Sequence, residues 1–131
     1  MNVVIAGGGP AGLITALNLI RRGIKPLVLE KNKEIRSKAC GEALGLNWLD
    51  EVPFDSTPYI SKKVSGAKLI FSGGNFDHLK EKCAVLDRDR WLGGMAEEIK
   101  LKGGEIKLNS EVIAAEGNSA VSYTHLRAHE T

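Results

Sequence analysis

The stretch NVVIAGGGPAGLITALNLIRRGIKPLVLEK, residues 2–31, constrains the fold more than any other part of the chain. It opens on an apolar, β-branched run with no alternation, residues 2–6, which predicts a strand covered on both faces as in a parallel sheet. Gly7, Gly9 and Gly12 follow at once. Beyond them Leu13, Ala16, Leu17 and Ile20 recur at helical spacing, and Gly23 stands where a helix C-cap falls. Leu27 to Glu30 then reads as a second buried strand. Strand, glycine turn, helix and strand within about thirty residues make one βαβ unit.

That context gives each glycine a task. Gly7 allows the tight turn, Gly9 lets the backbone approach a pyrophosphate, and Gly12 permits close helix–strand packing. Backbone N–H groups and the positive end of the helix dipole then face the phosphate. Glu30 closes the second strand, 18 residues after Gly12, where an acceptor for ribose hydroxyls belongs. An acid there repels a 2′-phosphate and argues against NADP at this site. The spacing therefore predicts a dinucleotide; FAD and NAD share the geometry, so spacing alone does not choose between them.

Downstream, a short helix is expected from Glu42 to Leu49, and PFDSTPY reads as loop. AKLIFSGGNF and KCAVLD read as two strands of a hairpin around a Gly-Gly turn. A helix is expected from Asp87 or Asp89 to Gly103-Gly104; Gly93-Gly94 inside it costs about 1 kcal/mol per glycine relative to Ala, so something must pack closely there. A strand over Glu105 to Leu108 and another from near Val112 complete the pattern. The expected class is α/β, an incomplete Rossmann-like FAD/NAD(P)-binding fold made of a βαβ unit, a hairpin, a helix and a further strand. Trp48 and Trp91 are expected to fill core, and Cys83 to lie in a strand facing it.

Bulk properties exclude other classes. A net charge of +2, with no basic cluster interleaved with aromatics, does not suggest nucleic-acid binding. No apolar run is long enough to span a bilayer, and Gly/Pro residues break the N-terminal stretch where a signal peptide would be continuous. Cys40 and Cys83 have neither disulfide-framework nor zinc spacing, so the expected location is the reducing cytoplasm and no metal is assigned.

Resemblance narrows the cofactor. The opening stretch, with Pro10 and Ala11, resembles the start of FAD-dependent oxidoreductases related to flavin monooxygenases. KACGEAL resembles the CGEGL segment of the geranylgeranyl reductase family, flavoenzymes that saturate prenyl chains of lipids and pigments. VLDRDRW resembles that family's R-x-x-F-D segment, with Arg88 on its arginine, and KGGEIKLNSEV resembles a further strand ending on a valine. The resemblance covers about residues 2–116. It implies FAD contacts at Gly7, Gly9, Ala11, Gly12 and Glu30, places Cys40, Gly41 and Ala43 near the flavin, turns Arg88 toward the cofactor and sets the Val112 backbone toward adenine. Ala43 stands where the family has glycine, and Trp91-Leu92 where it has Phe-Asp. Cys40 is the one catalytic candidate, with a small packing residue as its alternative; Arg88 is otherwise a solvated charge at a helix start.

The resemblance implies the N-terminal FAD-binding portion of a prenyl reductase acting on an apolar substrate such as a prenyl lipid, with peripheral membrane association. A flavin-dependent monooxygenase or halogenase is the near alternative, and a non-catalytic dinucleotide-binding module the distant one. Residues 120–131 fit no element. VSYTHLRAHET resembles the in-frame translation of a transposase adapter used in sequencing libraries. The expected boundary of native sequence is therefore Ser119, with 1–119 the FAD-binding part and 120–131 a disordered tail whose His125 and His129 form no site. Such a fragment is expected to be inactive alone.

Overall fold

The structure, a computed structural model, describes residues 2–36 and 40–124. In chain order its elements are β1 (Val4–Ala6), α1 (Pro10–Arg21), β2 (Leu27–Leu29), β3 (Ala43–Gly45), α2 (Leu46–Glu51), β4 (Ile60–Val64) and β5 (Ala67–Ile70). There follow β6 (Phe76–Leu79), β7 (Cys83–Leu86), α3 (Arg88–Leu101), β8 (Glu105–Lys107), β9 (Ser110–Glu116) and β10 (Ser119–Thr124). A single 3-10 turn, Thr57–Tyr59, leads into β4.

The expected βαβ unit is present and is extended by a second crossover. β1 runs parallel to β2 with Val4 opposite Leu27, and β2 runs parallel to β8 with Leu27 opposite Glu105. The sheet order is β1-β2-β8, with α1 crossing between the first pair and α3 leading back into β8. The two helices pack against each other. Leu13, Leu17, Val28, Leu92, Met95 and Ile99 are the largest side chains fully buried between helices and sheet. Their spacing on α1 is the pattern that predicted the helix. Gly23, at φ 79°, donates its N–H to the Ile20 carbonyl and ends α1 as a glycine cap should.

Between the two crossovers the chain builds separate antiparallel pieces. β7 is the centre of a three-stranded sheet of order β3-β7-β4, while β5 and β6 form a ribbon of their own. This corrects the expected hairpin: AKLI pairs with FDHL through the Phe71–Asn75 turn, and CAVL pairs with two other strands. Ala84 and Leu86 are buried in the common core, so the most apolar of these strands takes the central place. β4 lies beyond the expected PFDSTPY loop, where the sequence pattern assigned no element; its two lysines belong to an exposed strand. Residues 42–49 divide into β3 and the first part of α2, because Glu42 at φ 60° turns the chain out of helix.

Other expectations need correction. β1 is not covered on both faces: Val4 is 44% exposed, since β1 lies at the sheet edge. Trp48 is 65% exposed, because the six-residue α2 buries only Leu49. Trp91 does fill core, its indole Nε1 donating to Ser56 Oγ at 2.8 Å. Gly94 explains half of the Gly-Gly pair: a Cβ there would run into the Tyr59 ring and lie 3.0 Å from Phe54 Cζ, whereas one at Gly93 meets nothing. The sequence pattern assigned no element beyond Ser119, yet β10 pairs with β9 through Thr124, around Gly117 at φ 56°. His125 and His129 lie outside the described residues.

Candidate functional site

The C-terminal ends of β1 and β2, the glycine turn, the start of α3 and the start of β9 enclose a cleft of about 680 Å³. That volume lies within the usual range for small-molecule sites, and the ends of parallel strands are where such folds bind ligands. The glycine turn is held from below. Gly7, at φ 103°, donates to the Leu29 carbonyl at 2.8 Å, so the turn is tied to the end of β2. A Cβ on Gly12 would collide with the Gly7 carbonyl and lie 3.3 Å from Ile5 Cγ2. Gly12 thus sets how closely α1 approaches β1. Gly9 is different in kind: a Cβ there meets no atom, because the position opens on the cleft. Gly9 is also the N-cap of α1, and among the described residues no side chain caps that helix. Its first-turn N–H groups are left for an anion.

Glu30 is buried and doubly engaged. Oε2 accepts from the Gly8 N–H at 2.6 Å and Oε1 from the Asn32 N–H at 2.9 Å. The Glu30 main chain joins β8 and β9, its N–H donating to Lys107 O at 2.9 Å and its carbonyl accepting from Ser110 N at 2.8 Å. The acid therefore fastens the glycine turn to the strand ends and also presents a carboxylate to the cleft.

At the opposite wall, Arg88 Nη1 donates to Cys40 Sγ at 2.7 Å. Arg88 Nε is buried and has no partner among the described residues. A buried, unsatisfied guanidinium N–H beside a cleft is the donor that an anionic or carbonyl-bearing ligand satisfies. Cys40 is exposed, and its sulfur also accepts from the Glu42 N–H at 3.5 Å.

Of the residues singled out from sequence, Gly7, Gly9, Glu30, Cys40, Arg88 and Val112 line this one cleft. Gly12 supports it from beneath. Ala11 lies exposed on the first turn of α1, and Gly41 and Ala43 follow Cys40 away from the lining, Ala43 pairing with Val85. Sequence reasoning missed Pro10, Lys31, Asn32, Arg36, Ser110 and Glu111. Lys31 and Asn32 adjoin Glu30 and so had a positional signal. Arg36 and Ser110 come from loop and strand starts, where periodicity says nothing.

Glycine turn, uncapped helix and strand-end acid, set on a parallel β-α-β-α-β core, define a Rossmann-like FAD-binding fold. Residues 1–47 match the family described as FAD binding domain. A curated relative, the digeranylgeranylglycerophospholipid reductase of Thermoplasma acidophilum, is 28% identical over 86% of this chain and 36% of its own length. A solved structure, a geranylgeranyl bacteriochlorophyll reductase-like protein of the same organism, superposes with a TM-score of 0.81 at 26% identity. That superposition covers 95% of this chain and 35% of the other. The p-nitrophenol 4-monooxygenase PnpA of Pseudomonas putida shares the fold, with a TM-score of 0.69 at 20% identity over 89% of this chain and 34% of its own. The chain spans about a third of the length of these proteins. It is similar to the FAD-binding part of flavoproteins that include geranylgeranyl reductase-like proteins, and FAD is the cofactor these findings support.

The residues present fit that group. Gly9 leaves the space a Cβ would fill, the first turn of α1 offers N–H donors, and Arg88 Nε lacks a partner among the described residues.

Proposed function

We propose that this chain is the FAD-binding portion of a prenyl reductase acting on a polyunsaturated prenyl lipid. The observation that carries the reading is the joining of the CGEAL segment to the cofactor cleft: Cys40 and Arg88 meet at the wall facing the glycine turn. Reductase relatives aligned over most of the chain support it. The monooxygenase structure, at its level of identity, speaks only to the fold.

In this reading Gly7, Gly9 and the first turn of α1 hold the pyrophosphate, with the Ala11 and Gly12 N–H groups as donors. Glu30 accepts from ribose hydroxyls while keeping its hold on Gly8. The Val112 backbone borders the adenine, and Arg88 donates Nε to the cofactor. Cys40, oriented by the Arg88 guanidinium, borders the ring system, and Gly41 and Ala43 lie near it beyond the cleft lining. When bound, the flavin supplies hydride transfer to a carbon–carbon double bond. The protein's part is to bind, orient and exclude water. Among the described residues no helix is long and apolar enough to cross a membrane, and we place the protein in the cytoplasm with peripheral association at a bilayer holding the substrate. Native sequence, in this proposal, runs through Ser119 and continues into the region the relatives possess, residues 120–131 being adapter-derived.

Sequencing source DNA downstream of codon 119 is expected to recover a longer frame. The protein made from it, loaded with FAD and reduced without oxygen, is expected to add hydrogen across double bonds of a digeranylgeranylglycerophospholipid, read by mass spectrometry. Oxygenated product under air, with no saturation, would move the reading to a monooxygenase. Genomic DNA that encodes VSYTHLRAHET and then stops would favour a binding module.

A further inference from the structure

The β5–β6 ribbon is uncharged toward its tip and cationic toward its base. Its far end, residues 69–76, reads LIFSGGNF and carries no charge. Ile70, Phe71 and Phe76 there are 71%, 55% and 56% exposed, and Leu69 and Leu79 are also about half exposed. Those five are half of the large hydrophobic side chains exposed on the described chain. Ile70 faces Phe76 across the ribbon. At the base the chemistry reverses. Lys68, His78 and Lys80 surround a hollow of about 320 Å³ whose floor includes Gly66. Residues 60–82 hold Lys62, Lys63, Lys68, Lys80 and Lys82 against Asp77 and Glu81, a net +3 in a chain whose total is +2. Among the described residues none of these lysines is ion-paired; Lys68 Nζ instead lies 4.1 Å over the Phe76 ring.

A two-stranded ribbon with both faces open is marginal in water, so this one requires a cover. A protein partner laid on one face would call for apolar residues on that face and polar ones on the other. Here Ile70 and Phe76 share one face with Lys68 and His78, while Leu69 and Leu79 take the other with Ala67 and Asp77, so apolar side chains stand on both faces. The lysines lie toward the base, and residues 69–76 at the tip carry no charge. An apolar, uncharged tip above a cationic collar matches the profile of a bilayer interface, where aromatic and aliphatic side chains enter the acyl boundary and lysines meet phosphates.

We propose that the β5–β6 ribbon docks on an anionic lipid surface, with Phe71, Phe76 and Ile70 entering the interface and the Lys68–His78–Lys80 hollow taking a lipid phosphate. This deepens the membrane association of the proposed reductase but rests only on the ribbon's own residues. Neither flavin nor prenyl substrate enters its test, so the two readings fail separately.

The experiment is co-sedimentation of the chain with vesicles of phosphatidylcholine alone or with about one-third phosphatidylglycerol. Binding is expected to the anionic vesicles and to weaken with salt. Lys68→Gln and Lys80→Gln are each expected to lower it about fivefold, a Lys near such a surface contributing about that factor. Phe71→Ser with Phe76→Ser is expected to lower binding to anionic vesicles more than tenfold. Far-ultraviolet circular dichroism and a thermal melt verify folding of each variant. Phe71→Trp adds a second readout, a blue-shifted emission quenched by brominated lipid. Absence of binding, or binding that ignores both sets of substitutions, overturns the proposal. Competition by inorganic phosphate without vesicle attachment reduces the hollow to an anion site and also overturns it. So do dimers in sedimentation equilibrium that the Phe71→Ser, Phe76→Ser pair dissolves, which would make a second copy the cover. Slow hydrogen exchange at 69–76 in the vesicle-free longer protein would make its own remaining fold the cover.

Discussion

At the scale of single residues, Gly9 and Gly12 separate two uses of glycine that a motif scan treats as one. Gly12 is needed by the fold, since a side chain there would strike the Gly7 carbonyl. Gly9 has φ −79° and ψ −176°, a conformation any residue adopts, and open space around its missing Cβ. Gly12→Ala is therefore expected to destabilise the chain by about 1–3 kcal/mol, as overpacking does, and FAD binding falls with it. Gly9→Ala is expected to leave the denaturation midpoint within about 0.5 kcal/mol of wild type. Its methyl group enters the cleft, so FAD affinity alone drops. Urea denaturation paired with flavin fluorescence titration distinguishes the two; equal stability losses would show that the turn tolerates no Cβ at either position. Glu30 belongs to both kinds. Sequence position marked it as a ligand acceptor, but its grip on the Gly8 and Asn32 N–H groups was invisible, because hydrogen bonds between loop backbones leave no residue pattern.

Among the elements, those with long-period apolar spacing were legible and those made by pairing were not. α1 buried the face its spacing marked, α3 ran between the residues expected to bound it, β1 and β2 fell where continuous apolar sequence placed them, and β8 fell within the expected Glu105–Leu108 strand. The antiparallel part was misassigned. β7 looked like half of a hairpin because it follows a Gly-Gly turn, but its partners are β3 and β4 on either side. Strand partnership depends on contacts distant in sequence, and apolar content alone does not name the partner. Within the site, residues 7, 9, 30, 40, 88 and 112 converged on one cleft, whereas Arg36 and Ser110 lacked any periodic signal. Helix α3 supplies a test at this scale. Gly93→Ala is expected to stabilise by about 1 kcal/mol, the helix-propensity gain, because nothing opposes the methyl. Gly94→Ala gains the same propensity but drives into Tyr59 and Phe54, whose rings stack with centroids 5.5 Å apart. A net loss is expected there. Thermal melts of the two variants should shift in opposite directions; a shared upward shift would mean that the aromatic pair simply swings aside.

On the scale of the whole molecule, burial is concentrated in one place. Helices α1 and α3 cover one side of β1-β2-β8, and the β5–β6 ribbon buries none of its residues. Hydrogen exchange followed by mass spectrometry is expected to report slow amides in α1, β2 and α3 and fast ones in β5, β6 and the far end of β9. Uniform protection would contradict this division. The parallel sheet ends at β8 on one side and at β1 on the other, and among the described residues β1 pairs with β2 alone. The outward row of β1 main-chain N–H and C=O groups lies beside a Val4 side chain still half in water. Such an edge is a socket as well as a hazard. A further strand in matching register, from whatever source, finds there a row of main-chain donors and acceptors already laid out, so β1 is the side on which this sheet grows.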